Sequence, residues 1–204
     1  MQQSFSPRLT LAGAVFPQTG LVRDALLVVG FSALIAVSAR ISIPMWPVPI
    51  TGQTFAVLLA AAVLGRTRGV AALLAYMGEG MLGLPVFAGG ANAWTVSASG
   101  ATYLFGSTAG YLAGFVAAAF VTGWLAELGW DRSVWRAALA MVVGNLVIYA
   151  FGVSWLAALI GLERAVNFGL VPFLLGDIIK VVLAALALPG AWRLVGRLRP
   201  HQPQ

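Results

Sequence analysis

Six long runs of apolar residues, separated by polar or proline-rich stretches, set the pattern of this chain. Each run is close to the roughly 20 residues that cross a bilayer as a helix. Prolines such as Pro44, Pro85 and Pro172 lie at the breaks between runs. The runs cover residues 22–40, 50–65, 69–87, 104–128, 135–160 and 171–192. The pattern predicts an all-α integral membrane protein, folded as a bundle of six transmembrane helices.

The runs also divide the chain into three predicted parts. Residues 1–21 form an N-terminal cytoplasmic or interfacial segment, residues 22–192 the six-helix membrane domain, and residues 193–204 a basic cytoplasmic tail. Composition agrees with a membrane protein, because 60% of the residues are hydrophobic and 9% are charged, against about 25% charged in soluble domains. The net charge of +6 does not point to nucleic acid, because in a membrane protein the placement of the positive residues matters more.

The placement of the basic residues supports the six-helix arrangement. With the N-terminus in the cytoplasm, nine of the twelve basic residues fall on the cytoplasmic side, two fall outside and one, Lys180, lies within a run. The nine are Arg8, Arg23, Arg66, Arg68, Arg132, Arg136, Arg193, Arg197 and Arg199, and the outer two are Arg40 and Arg164. Because cytoplasmic loops carry an excess of arginine and lysine, the sequence predicts six spans with both termini in the cytoplasm.

Two charged residues interrupt the last apolar run. Asp177 and Lys180, the only lysine, stand at i and i+3 and therefore share one face of a helix. A charge in hydrocarbon costs at least about 2.5–3.5 kcal/mol, so such residues face the bundle interior and mark a ligand or ion path. The alternative is a pair that only pins helix packing, which apolar residues could replace at little cost.

Two predicted outer segments differ in kind from the cytoplasmic ones. Residues 40–54 contain three prolines, which make the segment stiff and extended. Residues 85–103 carry no charge and are rich in Gly, Ala and Ser, with Phe87 and Trp94 among them. Aromatic side chains favour packing over exposure, so we expect this segment to form a loop over a pocket that opens outward.

Several further residues have two readings each. Glu79, late in the third run, is either a pocket residue or an acid near enough to the surface to be hydrated. Asn145 and Tyr149, at i and i+4, serve either a pocket or a hydrogen bond between helices.

Small residues spaced four apart favour close packing of helices in lipid. Gly106, Gly110 and Gly114 have this spacing, and their packing role is the preferred interpretation. Ser32 and Ala36 form a weaker version, which could serve the docking of another membrane subunit.

Several chemistries are excluded by the residues that the chain lacks. The sole lysine does not stand in a phosphate-binding loop, and the lone histidine, His201, lies in the tail, where it cannot support a metal site or a triad in the membrane. With no cysteine, the chain has no thiol chemistry. We therefore expect no enzyme activity, metal or cofactor in this chain. Binding or transport remains.

Four segments, in order along the chain, resemble the signature segments of the BioY family. They are Ala39–Thr54, Gly83–Gly90, Gly106–Phe115 and Pro172–Lys180. BioY proteins are the biotin-specific S components of energy-coupling-factor (ECF) transporters. The resemblance implies a six-helix protein that captures biotin from outside. It also implies that the protein functions together with a transmembrane coupling protein and two cytoplasmic ATPases, which use the ATP. The assembly would lie in the lipid bilayer of a bacterial or archaeal cell membrane. The alternative is a stand-alone secondary transporter for biotin or another small vitamin.

The resemblance also implies roles for particular residues. Asp177 and Lys180 match the family's Gly-Asp-x-x-Lys motif, which contributes to biotin binding, and Thr51 and Gln53 lie in the segment that closes over the site. Asn92 takes the place of a family pocket asparagine. Ser32 and Ala36 stand where the family has an alanine pair that docks the coupling protein, and residues 106–111 read Gly-Ser-Thr-Ala-Gly-Tyr where the family commonly has Gly-Pro-Thr-Gly-Gly-Tyr.

The chemistry of biotin suggests how these residues would meet it. Asp177 can accept from a ureido N–H, while Lys180 can donate to the ureido carbonyl or meet the carboxylate. Arg40 is either a second partner for the carboxylate or an interfacial anchor. Aromatic side chains are expected to cover the ring system, since small-ligand pockets are mostly apolar with a few placed polar groups. The candidates are Trp94, Tyr103 and Tyr111.

Overall fold

The computed structural model describes residues 9–17, 20–97 and 100–198. Arg8, Arg199 and His201, which entered the sequence predictions, lie outside the described residues. The described part is helical, apart from one two-stranded antiparallel hairpin. The helices are α1 Leu11–Val15, α2 Leu21–Arg40, α3 Gln53–Leu64, α4 Arg66–Met81, α5 Ala109–Glu127, α6 Val134–Ile160, α7 Leu162–Gly169 and α8 Val171–Leu198. The strands are β1 Ser42–Ile43 and β2 Ile50–Thr51.

Four helical segments are long and apolar enough to cross a membrane. They are α2, α5, α6 and the continuous stretch Leu162–Arg197, which joins α7 to α8. The second and third apolar runs form shorter helices, because α3 has 12 residues and α4 has 16. The chain is therefore an all-helical protein with several membrane-length spans.

α5 lies at the centre of the bundle and packs against α3, α4 and α6. In the apolar window of α5, 56% of residues are buried, against 17% for α2, which lies at the periphery. A Cβ at Gly110 would lie 2.3 Å from Trp155 Cβ, and one at Gly114 would lie 2.9 Å from Ile148 O. The packing role is confirmed for these two glycines, which let α5 and α6 approach closely. Gly106 precedes α5, and its own Cβ would face Thr102 O at 3.1 Å instead.

Two loops cover one end of the bundle, and we call them the roof loops. The first, residues 41–52, contains the β1–β2 hairpin, in which Ser42 pairs with Thr51. The second, residues 82–97 and 100–108 as described, carries the buried Phe87. Its ring fills the space over Gly80, where an added Cβ would lie 2.2 Å from the Phe87 ring. The packing predicted for Phe87 is therefore present, whereas Trp94 is 57% exposed.

The opposite end, where α3 meets α4 and α5 meets α6, carries the arginines and the N-terminal helix. Gly65 makes the tight turn between α3 and α4 with φ +85°, a conformation that favours glycine. α1 packs at this end, with Leu11, Ala12 and Ala14 buried. Arg23 donates to Ala12 O at 3.2 Å, so side chains of the bundle hold the N-terminal segment in place.

Candidate functional site

A cavity lies directly beneath the roof loops. Its volume is about 40 Å³ in this structure, below the roughly 300–1,000 Å³ of typical small-molecule sites, so a vitamin-sized ligand requires the walls to move apart. Most of its lining is aliphatic or aromatic, with a few hydroxyl groups and one amide. The lining residues are Val48, Pro49, Thr51, Gln53, Thr54, Ala88, Tyr103, Thr108, Tyr111, Leu112, Phe115, Ile148, Tyr149 and Phe173.

Asp177 and Lys180 form an ion pair immediately behind one wall of this cavity. Lys180 Nζ lies 3.0 Å from Asp177 Oδ1, and Asp177 is only 5% exposed. Lys180 also donates to Thr54 Oγ1 at 2.7 Å and to the main-chain oxygen of Thr51 at 2.9 Å. These three bonds use all the donors of an ammonium group. The lysine therefore joins α8 to the start of α3 and to the first roof loop.

The remaining acceptor capacity of Asp177 is taken by two cavity-lining hydroxyls. Tyr149 donates to Oδ2, and Thr54 donates to Oδ1 at 3.4 Å. Thr51, Thr54 and Tyr149 thus stand between the charged pair and the cavity. The pair and its three neighbours form one connected polar corner, which we call the polar corner below.

Asn145 lies one turn before Tyr149 on α6 and borders a narrow space next to Lys180 and Thr54. Its side-chain oxygen is buried and has no hydrogen-bond partner in the part of the chain that the structure describes. The sequence left two interpretations for Asn145 and Tyr149, a role in a pocket or a hydrogen bond between helices. Of the two residues, only Tyr149 makes such a bond within the described part of the chain, from α6 to Asp177 on α8.

Gln53, next to Thr54 at the start of α3, presents a fixed amide to the cavity. Gln53 is 4% exposed and donates its Nε2 to Tyr76 OH at 2.8 Å. Because the amide nitrogen is held in this way, the amide oxygen is the group left to accept from a ligand. Tyr76 packs edge-on to Phe87, with ring centroids 5.2 Å apart.

Tyr103 and Tyr111 supply the aromatic walls that the sequence predicted. Tyr103 stacks on Phe87 at 5.0 Å, so the second roof loop positions it. Burial raises the pKa of Tyr103 above its ordinary value of 10.0, so this phenol is harder to ionise than an exposed tyrosine. Tyr111 donates its hydroxyl to Gly169 O at 2.7 Å and stacks on Phe173 at 6.4 Å.

Four other candidate residues lie away from the cavity lining. Asn92 organises its own loop, donating to Gly83 O at 3.1 Å and accepting from Trp94 N at 3.0 Å. The Trp94 side chain is 57% exposed and donates to Met81 O at 2.8 Å. Arg40 donates to Pro85 O and thereby ties α2 to the second roof loop.

Glu79, the fourth of these residues, accepts a hydrogen bond of 2.7 Å from Ser32. This bond joins α2 to α4. Ser32 is fully buried, so its side chain is unavailable to a neighbouring subunit in this conformation. Ala36 is half-buried and packs against the core, so the two residues predicted for docking do not form an open surface.

Sequence reasoning did not single out every residue that lines the cavity, and Thr54, Thr108 and Phe173 are three examples. Thr54 follows Gln53 at the start of α3 and touches both members of the ion pair. Its place in the proline-rich segment beside Thr51 was the available signal. Thr108 and Phe173 reach the cavity from the ends of α5 and α8, and their places in the segments Gly106–Phe115 and Pro172–Lys180 were the available signal.

The arrangement suits a small ligand with a polar head and an apolar body. The polar corner offers a carboxylate, an ammonium and hydroxyl groups, Gln53 offers an amide oxygen, and the tyrosines and aliphatic residues offer apolar surface. Among the described residues, no group of three His, Cys, Asp or Glu side chains could hold a metal ion. The site is built for recognition by hydrogen bonds and apolar contact.

Comparison with known proteins places this arrangement in context. The BioY family model matches residues 3–197. A biotin transporter BioY from Thermotoga maritima is 45% identical over 157 residues, 76% of this chain and 88% of the relative. A probable biotin transporter BioY from Pyrococcus horikoshii is 38% identical over 80% of this chain and 93% of the relative. The crystal structure of the S component for biotin from an ECF-type ABC transporter is similar with a TM-score of 0.70 and 25% identity, covering 88% of this chain and 93% of that chain.

Proposed function

Because the chain belongs to the BioY family, we propose that it is the biotin-binding S component of an ECF-type vitamin transporter. The observation that carries the proposal is the roofed cavity with a buried ion pair at its wall. Such a pair is costly in a membrane, and here it stands beside the space that a ligand would fill. The chain therefore acts by binding and transport rather than by catalysis.

We further propose how biotin is held. The ureido head lies against the polar corner, where a ligand N–H takes over the position on Asp177 that the Tyr149 hydroxyl fills in this structure. Lys180 then exchanges its bond to Thr54 for one to the ureido carbonyl, and the Gln53 amide oxygen accepts from the head group. Tyr103 and Tyr111 cover the apolar ring, since most of a small ligand's surface is buried against apolar walls.

Four residues from the sequence prediction take different parts in this proposal. Arg40 fixes the second roof loop and also remains a candidate for the biotin carboxylate, because both lie at the roof end of the bundle. Asn92 and Trp94 shape the same loop. Glu79 supports the contact between α2 and α4 that its bond to Ser32 makes.

We propose that α2, α3, α4, α5, α6 and α8 all cross the membrane, with both termini in the cytoplasm. The arrangement follows from the six apolar runs and from the arginines, which gather at the end of the bundle opposite the roof. The roof then faces outward, where it controls entry of biotin. The protein lies in the plasma membrane of a bacterial or archaeal cell.

The proposed partners are a transmembrane coupling protein and two cytoplasmic ATPases. This chain has no phosphate-binding loop of its own, so the ATPases supply the energy and no cofactor is held here. Because Ser32 is buried and Ala36 packs against the core, we assign the docking contact to the exposed face of α2, which presents Leu26, Val29 and Val37.

Ligand titration of the purified protein in detergent tests the binding function. Biotin, riboflavin and thiamine are titrated separately into the protein freed of ligand by refolding or extensive dialysis. We expect saturable binding of biotin alone. Binding of riboflavin or thiamine in its place would assign the cavity to a different vitamin and contradict the proposal.

Uptake in cells tests the transport mechanism. Biotin uptake is measured with the chain expressed alone and together with an ECF coupling protein and its ATPases, in the presence and absence of an ionophore. We expect uptake to depend on an active ATPase. Uptake that persists without any ATPase and stops with the ionophore would instead identify a stand-alone secondary transporter.

A further inference from the structure

The arginines opposite the roof fall into two groups that differ in charge balance. Around α2, α4 and α5 the arginines are paired with acids. Arg68 Nε lies 3.0 Å from Asp24 Oδ1, and Arg66 Nε lies 3.3 Å from Glu127 Oε2. This side of the bundle is therefore close to electrically neutral.

The other side, at the start of α6 and the end of α8, has four exposed arginines that form no ion pair with an acid among the described residues. We call Arg132, Arg136, Arg193 and Arg197 the arginine face. Within the described ranges, the last three make no ion pair or hydrogen bond, while Arg132 donates to Leu9 O and lies 4.4 Å above the Trp192 ring.

Asp131, the acid next to Arg132 in the sequence, is withdrawn from the surface. Asp131 is 2% exposed and accepts a hydrogen bond from Trp192 Nε1. Its second carboxylate oxygen is buried without a partner among the described residues. The Asp131 carboxylate therefore neutralises little of the positive charge of the arginine face.

Contacts between the two elements place the arginines at one level of the bundle. Trp192 donates a hydrogen bond to Asp131, and its ring contacts the Arg132 guanidinium by a cation–π interaction. These two contacts hold the start of α6 beside the end of α8. Arg136 lies one turn beyond Arg132, and Arg197 one turn beyond Arg193, so the four residues lie within about two helical turns, or roughly 11 Å, along the axis.

Exposed apolar residues continue from the arginine face toward the middle of the bundle. Trp135 is 72% exposed at the start of α6, and indole side chains favour the boundary between headgroups and hydrocarbon. Leu139 on α6 and Leu183 and Leu186 on α8 are also exposed. A positive surface thus borders an apolar one, which matches the two chemical parts of a phospholipid.

From this juxtaposition we propose that the arginine face binds the headgroups of anionic phospholipids, whose acyl chains lie along the exposed apolar faces of α6 and α8. An acidic surface of a partner protein would satisfy the charges but not the adjoining apolar strip, so lipid is the occupant that fits both. The assignment does not depend on which vitamin the cavity holds.

Native mass spectrometry of the full chain in detergent tests the proposal. The protein is titrated with phosphatidylglycerol and with phosphatidylcholine that has the same acyl chains. We expect preferential binding of phosphatidylglycerol. In the variant Arg193→Gln/Arg197→Gln, this binding should weaken by about fivefold per arginine removed, roughly 25-fold in all, because each basic residue near an anionic surface contributes about that factor.

A matched variant separates a site from a general charge effect. Arg68→Gln/Arg164→Gln removes the same net charge from the paired side and from the roof end, and it should leave phosphatidylglycerol binding almost unchanged. Equal losses in both double variants, or no preference for phosphatidylglycerol in the wild type, would overturn the proposal. If lipid binding is unaffected by Arg193→Gln/Arg197→Gln but the ECF partners no longer copurify, the face binds protein instead.

A conservative variant guards against a trivial loss of folding. Arg193→Lys/Arg197→Lys keeps the charges and should retain most of the phosphatidylglycerol binding, with the thermal midpoint in detergent unchanged in all three double variants. Loss of binding in the lysine variant with an unchanged midpoint would contradict recognition by charge.

Discussion

Replacement of Lys180 by methionine tests whether the buried ion pair serves the ligand or only the fold. Lys180→Met keeps most of the length of the side chain but removes the charge. It breaks the bonds to Asp177, Thr54 and the Thr51 carbonyl. It leaves Asp177, 5% exposed, without a positive partner.

The structure gives the expected magnitude. Removal of one partner of a buried ion pair destabilises by about 3–5 kcal/mol, because an uncompensated charge stays buried. The double variant Asp177→Asn/Lys180→Met removes both charges and keeps an oxygen that accepts from Tyr149. We therefore expect it to recover most of the stability, leaving a deficit of about 1–2 kcal/mol from the lost neutral hydrogen bonds.

Binding should respond differently from stability. If the polar corner holds the biotin head group, the double variant loses charged partners of the ligand although it folds well. The loss of a buried hydrogen-bonded charge at an interface costs about 2–5 kcal/mol, which corresponds to a fall in affinity of roughly 30-fold to several thousand-fold. Stability and affinity are thus expected to separate in this variant.

Two measurements on the same preparations decide the question. The free energy of unfolding is obtained by titration with a denaturing detergent, and the affinity by calorimetric titration with biotin. Glu163→Gln, on α7 away from the cavity, is the control and should match the wild type in both. A double variant that binds biotin as tightly as the wild type would refute a ligand role and leave the ion pair as a packing device.

Three further variants test other parts of the description. Gly110→Ala should destabilise the protein by about 1–3 kcal/mol through overpacking against α6. Gly176→Ala is the control, because no atom lies near its added Cβ, and it should not destabilise the protein. Equal unfolding free energies for the two variants would contradict the close packing at Gly110. Tyr76→Phe removes the hydroxyl that holds the Gln53 amide. It should weaken biotin binding by up to about tenfold, the equivalent of one hydrogen bond, with little change in thermal midpoint. An unchanged affinity in the titration would show that Gln53 does not need Tyr76 to position it. Burial raises the pKa of Asp131 above 3.8, so the folded state binds the proton more tightly than the unfolded state and stability falls as pH rises from below 3.8. Asp131→Asn should remove this dependence and be the more stable protein at pH 7 in thermal unfolding, and a parallel pH profile for both proteins would be the contrary result.

The sequence predicted the helices and the close helix packing well because both depend on local patterns. Each apolar run coincides with one main helix, although α3 and α4 are short, and Gly110 and Gly114 permit the α5–α6 contact that their spacing indicated. The i,i+3 spacing of Asp177 and Lys180 likewise put both side chains on one face of α8 and within 3.0 Å of each other. In these cases the relevant neighbour is one helical turn away, or the small side chain itself is the signal.

The partners of these residues could not be predicted, because they depend on how distant helices are rotated. Thr54 is more than a hundred positions from Asp177 in sequence, yet their oxygens lie 3.4 Å apart. Ser32 could face outward or inward with the same spacing to Ala36, and the rotation of α2 turns it toward Glu79. Asn92 could be a ligand contact or a loop-building residue, and its bonds within residues 83–95 are satisfied locally.

The two roof loops are fastened to different helices, the first to α8 through Lys180 and the second to α2 through Arg40. A further bond, from the Ser107 hydroxyl to the Pro47 carbonyl, joins the two loops to each other. Opening of either loop therefore breaks the bond that fastens that loop to its helix. Weakening one of these fastening bonds should speed both the association and the dissociation of the vitamin. The dissociation constant should stay the same, provided that the residue making the bond does not contact the vitamin. The Arg40 bond meets that condition if the guanidinium stays on the Pro85 carbonyl. The residence time of the bound vitamin can therefore be changed at this end of α2 independently of its affinity.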